Sequence, residues 1–226
     1  LPNIPDKIAL FSQYLGMAAL ILMAWGQIMA TRIAGIETLF GSLDRVYVLH
    51  KWAGICAMVA ILLHDTIDAD MRGLGPETAL NELAETVGEI SLYGLLVLVV
   101  ISVATFIPYH LWKWTHKAMG ALFVAGAFHF IFIMKPFAMT DPVGAYTGVF
   151  CFAGLLAYVW TLLPERMRPS HGYEIVDLDQ TGEATTITVK PVGKGLTPMP
   201  GQFGIFRFTG SKTDEPHLFS FSKIED

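Results

Sequence analysis

Five stretches of this chain stay apolar long enough to cross a hydrocarbon core of about 30 Å. Ile8 to Ala30 holds 23 consecutive positions without a formal charge. Val46 to His64, Ile90 to Pro108, His116 to Met134 and Val143 to Leu163 follow, each bounded by charged or proline-containing segments. The uncharged heart of the second, Trp52 to Leu63, is too short to cross alone, so its polar ends must be stabilised inside the span. Between the second and third stretches, Asp65 to Glu89 is acidic, with Asp65, Asp68, Asp70, Glu77, Glu82, Glu85 and Glu89 against Arg72. Pro76 there suggests the start of a short helix on the membrane surface, with Leu80, Leu83 and Val87 on one face. After Ser170 the period changes to two. Tyr173 to Leu178, Ala184 to Val189, Phe203 to Phe208 and His217 to Ser222 alternate apolar and polar residues between glycines and prolines. These are strand signals. The expected fold is an α-helical integral membrane bundle (residues 1–168) followed by a partial antiparallel β-barrel (169–226).

Composition agrees with that division. The chain is 53% hydrophobic and only 15% charged over 226 residues, outside the range of an ordinary soluble domain. Cys56 and Cys151 both fall in apolar stretches, which argues against a structural disulfide. The basic residues fix an orientation. Arg32, Arg45 and Lys51 flank one connection, Lys113 and Lys117 the next on that side, and Arg166 and Arg168 the last. The positive-inside rule places that side in the cytoplasm, with the acidic segment outside. The second and fourth spans then run parallel, both outward.

Those two spans each carry a pair of histidines: His50 and His64, then His116 and His129. An ionisable side chain inside a span is a functional-site hypothesis by default. The separations, 14 and 13 residues, correspond to roughly 21 Å and 19.5 Å of helix. His50 should therefore lie level with His116, and His64 with His129. That arrangement suits two bis-histidine haems stacked across one bilayer, each a low-spin centre for electrons. Zinc is the competing metal, but it favours ligands clustered at one tetrahedral centre. A separation of 13 turns roughly 140° away from the same helix face, so the fourth span should either twist, using Gly120 or Gly126, or present its histidines in different directions. Arg45, Lys51, Lys113 and Lys117 are candidates to neutralise haem propionates, and Trp52, Phe123, Phe128 and Phe130 to line the haems.

The paired histidines at these spacings, with Pro200-Gly201-Gln202-Phe203 and His217-Leu218-Phe219-Ser220, resemble the ferric reductase and NADPH oxidase family, especially its bacterial ferric-reductase-like members. The resemblance implies that His50 and His116 ligate an inner b-type haem, and His64 and His129 an outer one. It implies that His217, Phe219 and Ser220 form part of an FAD site, the aromatic packing on the isoalloxazine and the hydroxyl bonding near its reactive nitrogen. Leu218 stands where the family's flavin motif has proline. It also implies an enzyme passing electrons from NAD(P)H through FAD and the haems to an acceptor beyond the outer face, a ferric complex or O2. The expected location is a bacterial inner membrane with the barrel cytoplasmic, membrane lipid as neighbour and no nucleic-acid partner. The family usually has six spans, so a further span is expected upstream of Leu1, and the nicotinamide domain is expected outside this chain. The family's oxidases often carry another histidine about one turn past the outer ligand. Asp68 stands there, which favours a reductase over a superoxide-producing oxidase. A reading from another class is a membrane scaffold or transporter without redox chemistry. The acidic segment has two readings: a field that concentrates cations near the outer face and, preferred, a solvated loop that obeys the topology rule.

Overall fold

The computed structural model describes residues 4–33, 35–40, 42–67, 74–103, 106–164, 167, 170–182, 184–198, 202–209 and 217–223. Asp68, Asp70, Arg72, Arg166, Arg168, Pro200 and Gly201 lie outside them. The chain divides into two compact units, Leu1–Leu162 and Leu163–Asp226.

The first unit is helical: α1 (Ile4–Ala30), the five-residue α2 (Ile36–Phe40), α3 (Leu43–Thr66), α4 (Ala79–Val103), α5 (Tyr109–Phe132) and α6 (Pro142–Leu162). Among the described residues, four helices are long and apolar enough to cross a membrane: α1 from Lys7, α3, α4 and α6. This is an integral membrane protein. The fourth expected span, α5, has the same length as α3, but His110, Lys113, His116 and Lys117 crowd its first turns and lower its hydropathy.

Two antiparallel helix pairs carry the architecture. α1 packs along α3, and α4 along α5, while α1 also runs against α6. Small residues let the backbones approach, the usual solution between helices in lipid. Ala19, Ala57 and Ala60 are buried where α1 meets α3. Ala24 on α1 and Gly154 on α6 close around Phe123 of α5, which is completely buried. Met17, Leu20, Ala127, Phe130 and Cys151 complete that core.

The α4–α5 pair is tied at both ends. At one end, Asn81 Nδ2 donates to the Phe132 carbonyl at 2.7 Å; at the other, Trp112 Nε1 donates to the Ser102 carbonyl at 3.2 Å. Each bond satisfies a carbonyl that the end of its own helix leaves without an intrahelical donor.

Here the structure corrects one expectation. The segment from Pro76 is not a separate surface helix, and the third span does not begin at Ile90. Thr78 and Asn81 cap each other reciprocally, the Thr78 N–H to Asn81 Oδ1 at 2.9 Å and the Asn81 N–H to Thr78 Oγ1 at 3.3 Å. This capping box starts α4 at Ala79. Glu82 therefore lies in its first turn, where the positive end of the helix dipole favours a carboxylate, and Glu85 and Glu89 follow on the same helix. The helix also ends at Val103, before Pro108.

The second unit contains two antiparallel ribbons. β1 (Tyr173–Thr181) pairs with β2 (Ala184–Pro191) through a tight turn at Gly182, whose φ is +66°. β3 (Phe203–Phe206) pairs with β4 (His217–Ser220), setting Phe203 opposite Ser220 and Phe206 opposite His217. The four strand expectations hold. The expected partial barrel is present only as these two separate two-stranded sheets among the described residues, with no closure between them.

A Cβ at Gly154 would stand 2.6 Å from Phe123 Cζ and 2.9 Å from the Ala24 backbone. Gly154→Ala is therefore expected to destabilise the helical unit by about 1–3 kcal/mol. Unfolding of the detergent-solubilised protein by titrated SDS measures this, and an unchanged midpoint contradicts it.

Candidate functional site

The antiparallel pairing of each hairpin, α1 with α3 and α4 with α5, brings the four histidines into two facing pairs. The ring centres of His50 and His116 are 5.9 Å apart, and those of His64 and His129 are 6.5 Å apart. α3 and α5 are therefore parallel, with their histidines at matched levels. The helices themselves do not pack extensively along each other among the described residues; the imidazoles meet across the space between them.

Each histidine is held from behind by the partner helix of its own hairpin. On α3, His50 Nδ1 donates to the Gly26 carbonyl at 3.1 Å, and His64 Nδ1 to the Ser12 carbonyl at 2.9 Å. The Ser12 hydroxyl donates to the His64 carbonyl at 2.9 Å and also lies 2.9 Å from Nδ1. On α5, His129 Nδ1 donates to the Ala84 carbonyl at 2.8 Å, and His116 Nδ1 faces the Ser102 hydroxyl at 3.2 Å. A carbonyl can only accept, so three of the four rings carry their hydrogen on Nδ1. Nε2 is then the nitrogen with a free lone pair, and among the described residues no Nε2 of the four makes a hydrogen bond.

Glycines make room for this. A Cβ at Gly16 would lie 3.2 Å from the His64 ring, one at Gly26 3.7 Å from His50, and one at Gly88 2.8 Å from His129 Cγ. His116 has a different neighbour: it stacks on Trp112 with ring centres 4.8 Å apart and planes 13° from parallel. Gly120 and Gly126, singled out in the sequence, serve packing instead. Gly120 sits against Tyr158 of α6, and Gly126 faces Ser91 and Leu20. α5 is an uninterrupted α-helix across its 13-residue separation, from Tyr109 to Phe132.

A cavity of about 380 Å³ opens at the His64/His129 end, lined by Ser12, Gln13, Gly16, Gly88 and Phe130 as well as the two histidines. Asp65, Glu85, Glu89 and Lys135 also border it. The Lys135 ammonium donates to the Ile131 and Ile133 carbonyls at 2.9 and 3.3 Å and lies over the Phe130 ring. Burial pushes its pKa below the usual lysine value.

Of the aromatics expected to line the centres, only Phe130 borders this cavity. Phe123 belongs to the core, Phe128 meets Phe132 at a tilt with ring centres 4.7 Å apart, and Trp52 is exposed on α3. At the other end, Arg45 and Lys51 on α3 and Lys113 and Lys117 on α5 lie within five residues of His50 or His116 in the sequence. His217, Phe219 and Ser220 share β4, His217 and Ser220 being exposed and Phe219 half-buried. Phe206 and Phe208 meet the Phe219 ring edge-on at 5.8 and 5.7 Å.

The donor set fits a bis-imidazole metal centre. A metal–imidazole bond is about 2 Å, and a nitrogen lies roughly 1.1 Å from its ring centre, so two imidazoles on opposite sides of one metal stand roughly 6.2 Å apart. Both pairs lie within half an ångström of that figure. A ligating histidine that donates its other N–H to a carbonyl is the common second-sphere arrangement of metal sites. Two such pairs at separate levels agree better with two porphyrin irons than with one tetrahedral zinc.

These features define a helical membrane protein with two stacked bis-histidine sites. A family model described as ferric reductase like transmembrane component matches residues 15–127, half of the chain, and the protein belongs to that family. The matched segment contains His50, His64 and His116, with His129 two residues beyond it. No curated protein matches the chain.

The glycine contacts separate two otherwise similar substitutions. Gly88→Ala drives a methyl into the His129 ring and is expected to cost about 1–3 kcal/mol. Gly26→Ala meets His50 at an ordinary contact distance and should be neutral or gain up to about 1 kcal/mol from helix propensity. Thermal unfolding in detergent compares them; equal effects contradict the placement of His129.

Proposed function

We propose that this protein passes electrons through the membrane by way of two b-type haems, toward an acceptor at the His64/His129 end. The observation that carries the reading is the common anchoring of the four rings. Three Nδ1 atoms meet main-chain carbonyls of the paired helix, the fourth meets the Ser102 hydroxyl, and the rings face each other in two pairs at 5.9 and 6.5 Å. His50 and His116 would hold one haem, and His64 and His129 the other. Bound there, the haems supply one-electron redox chemistry at low-spin centres without an open coordination position.

The chain's own residues do the rest. The Gly26, Ser12 and Ala84 carbonyls fix the tautomer that leaves Nε2 free to ligate, and they raise the basicity of that nitrogen. Gly16 and Gly88 let the His64 and His129 rings lie close to α1 and α4. Phe123, Ala127 and Phe130 fill the core beside them and exclude water. Arg45, Lys51, Lys113 and Lys117 would meet the propionates at one end, and Lys135 is the corresponding cation at the other.

FAD held on the second unit, with exposed His217 and Ser220 and the Phe219 ring as contacts, would deliver electrons taken from NAD(P)H. By the positive-inside rule the His50/His116 end would face the cytoplasm, and we read the membrane as a bacterial inner membrane. At the opposite end, Asp65, Glu85 and Glu89 around the cavity would draw in cations such as ferric complexes, which favours a ferric reductase.

Vesicles test the reading. Protein reconstituted with haem, given reduced flavin on the side of the second unit and a ferric chelate on the other, should reduce the chelate, including in oxygen-free buffer. His64→Ala and His129→Ala should each bring the rate to that of empty vesicles. Rates untouched by both substitutions, or product that forms only as superoxide, would contradict it.

A further inference from the structure

Three of the four rings are held by main-chain carbonyls, and the fourth is not. His116 Nδ1 faces the Ser102 hydroxyl at 3.2 Å, while its ring lies flat on Trp112 at 4.8 Å. Trp112 in turn donates its indole N–H to the Ser102 carbonyl at 3.2 Å. Serine thus meets both residues, its hydroxyl at the imidazole and its carbonyl at the indole. Tyr109 extends the stack, 5.8 Å from Trp112 and 20° from parallel. The whole latch joins the last turn of α4 to the first turns of α5.

We infer that Ser102 and Trp112 are positioning residues that give the His50/His116 centre an electronic character different from that of the His64/His129 centre. This rests on the two-haem reading above. A carbonyl is a pure acceptor and draws on Nδ1–H, which increases the electron density that Nε2 gives a metal. A hydroxyl can accept from Nδ1–H or donate to an unprotonated Nδ1. It therefore leaves both tautomers of His116 open in the metal-free protein, and it must accept when Nε2 is a ligand. Trp112 removes part of that freedom. By anchoring the Ser102 main chain it fixes where the hydroxyl sits, and by stacking it fixes the plane of the ring. The helix end supplies a reason for the coupling, since the Ser102 carbonyl is one of the four that α4 cannot satisfy internally.

The test is a potentiometric titration of the haem-loaded full chain, followed optically and by electron paramagnetic resonance. In Ser102→Ala, Nδ1–H loses its acceptor, Nε2 becomes less basic, and the reduced iron is favoured. One of the two midpoint potentials should rise, with altered g-values for one ferric signal and the other centre unchanged. Ser102→Thr, which keeps the hydroxyl, should restore both midpoints, and Trp112→Phe, which keeps a stacked ring but not the N–H, should move the same centre as Ser102→Ala. Loss of one haem in Ser102→Ala with both retained in Ser102→Thr supports the same role. Wild-type midpoints and g-values in Ser102→Ala, or equal movement of both centres, overturn the inference. So does loss of haem from Ser102→Thr. A wild-type chain that takes up no haem overturns the two-haem reading as well, which separates the two failures.

Discussion

The helical unit depends on a contact that recurs four times, between the Nδ1 of a histidine and a polar group on the helix it pairs with, three times a main-chain carbonyl and once the Ser102 hydroxyl. In a medium without water, an imidazole left unpaired costs several kcal/mol. It therefore recruits whatever acceptor the neighbouring helix can spare. Main-chain carbonyls in an intact helix are already bonded but keep a second lone pair, and Gly26, Ser12 and Ala84 each use it. The same bond binds α3 to α1 and α5 to α4, fixes the ring plane and selects the tautomer. Folding and function thus share one contact.

That sharing explains the placement of small residues. A ring can reach a carbonyl of a neighbouring helix only where no Cβ stands in the way, and glycine lies against three of the four rings. Glycine costs helix propensity, roughly 1 kcal/mol relative to alanine, so its use at positions 16 and 88, where a Cβ would crowd the ring, fits the need for close approach. His116 is the exception, held by a hydroxyl and an aromatic face near a helix end. The two histidine pairs are therefore not held in the same way.

Much of this was legible in the sequence. The matched spacing of His50–His64 and His116–His129 gave the facing pairs, because a regular helix converts residue number into depth. The alternating segments gave all four strands. The acceptors were harder to see. Ser12 and Gly26 are separated by 14 residues, the same interval as His50 and His64, which is the signature of an antiparallel partner, but it becomes meaningful only once α1 and α3 are known to pair. Ser102 and Trp112 are even less visible, since their contact spans the turn between α4 and α5. The start of α4 was missed because proline and a run of carboxylates suggested a surface helix, whereas the Thr78–Asn81 cap and the dipole at a helix start accommodate those charges in the span itself. Gly120 and Gly126 drew attention by lying between two histidines in sequence, yet they face α6, α4 and α1.

The most direct measurement is the visible spectrum of the purified protein, oxidised and then reduced with dithionite, with a pyridine haemochrome count. Sharp reduced α-bands and close to two b-haems per chain are expected, falling to about one in a variant lacking His64 or His129. Colourless protein, or a single haem retained whichever pair is removed, would contradict the account.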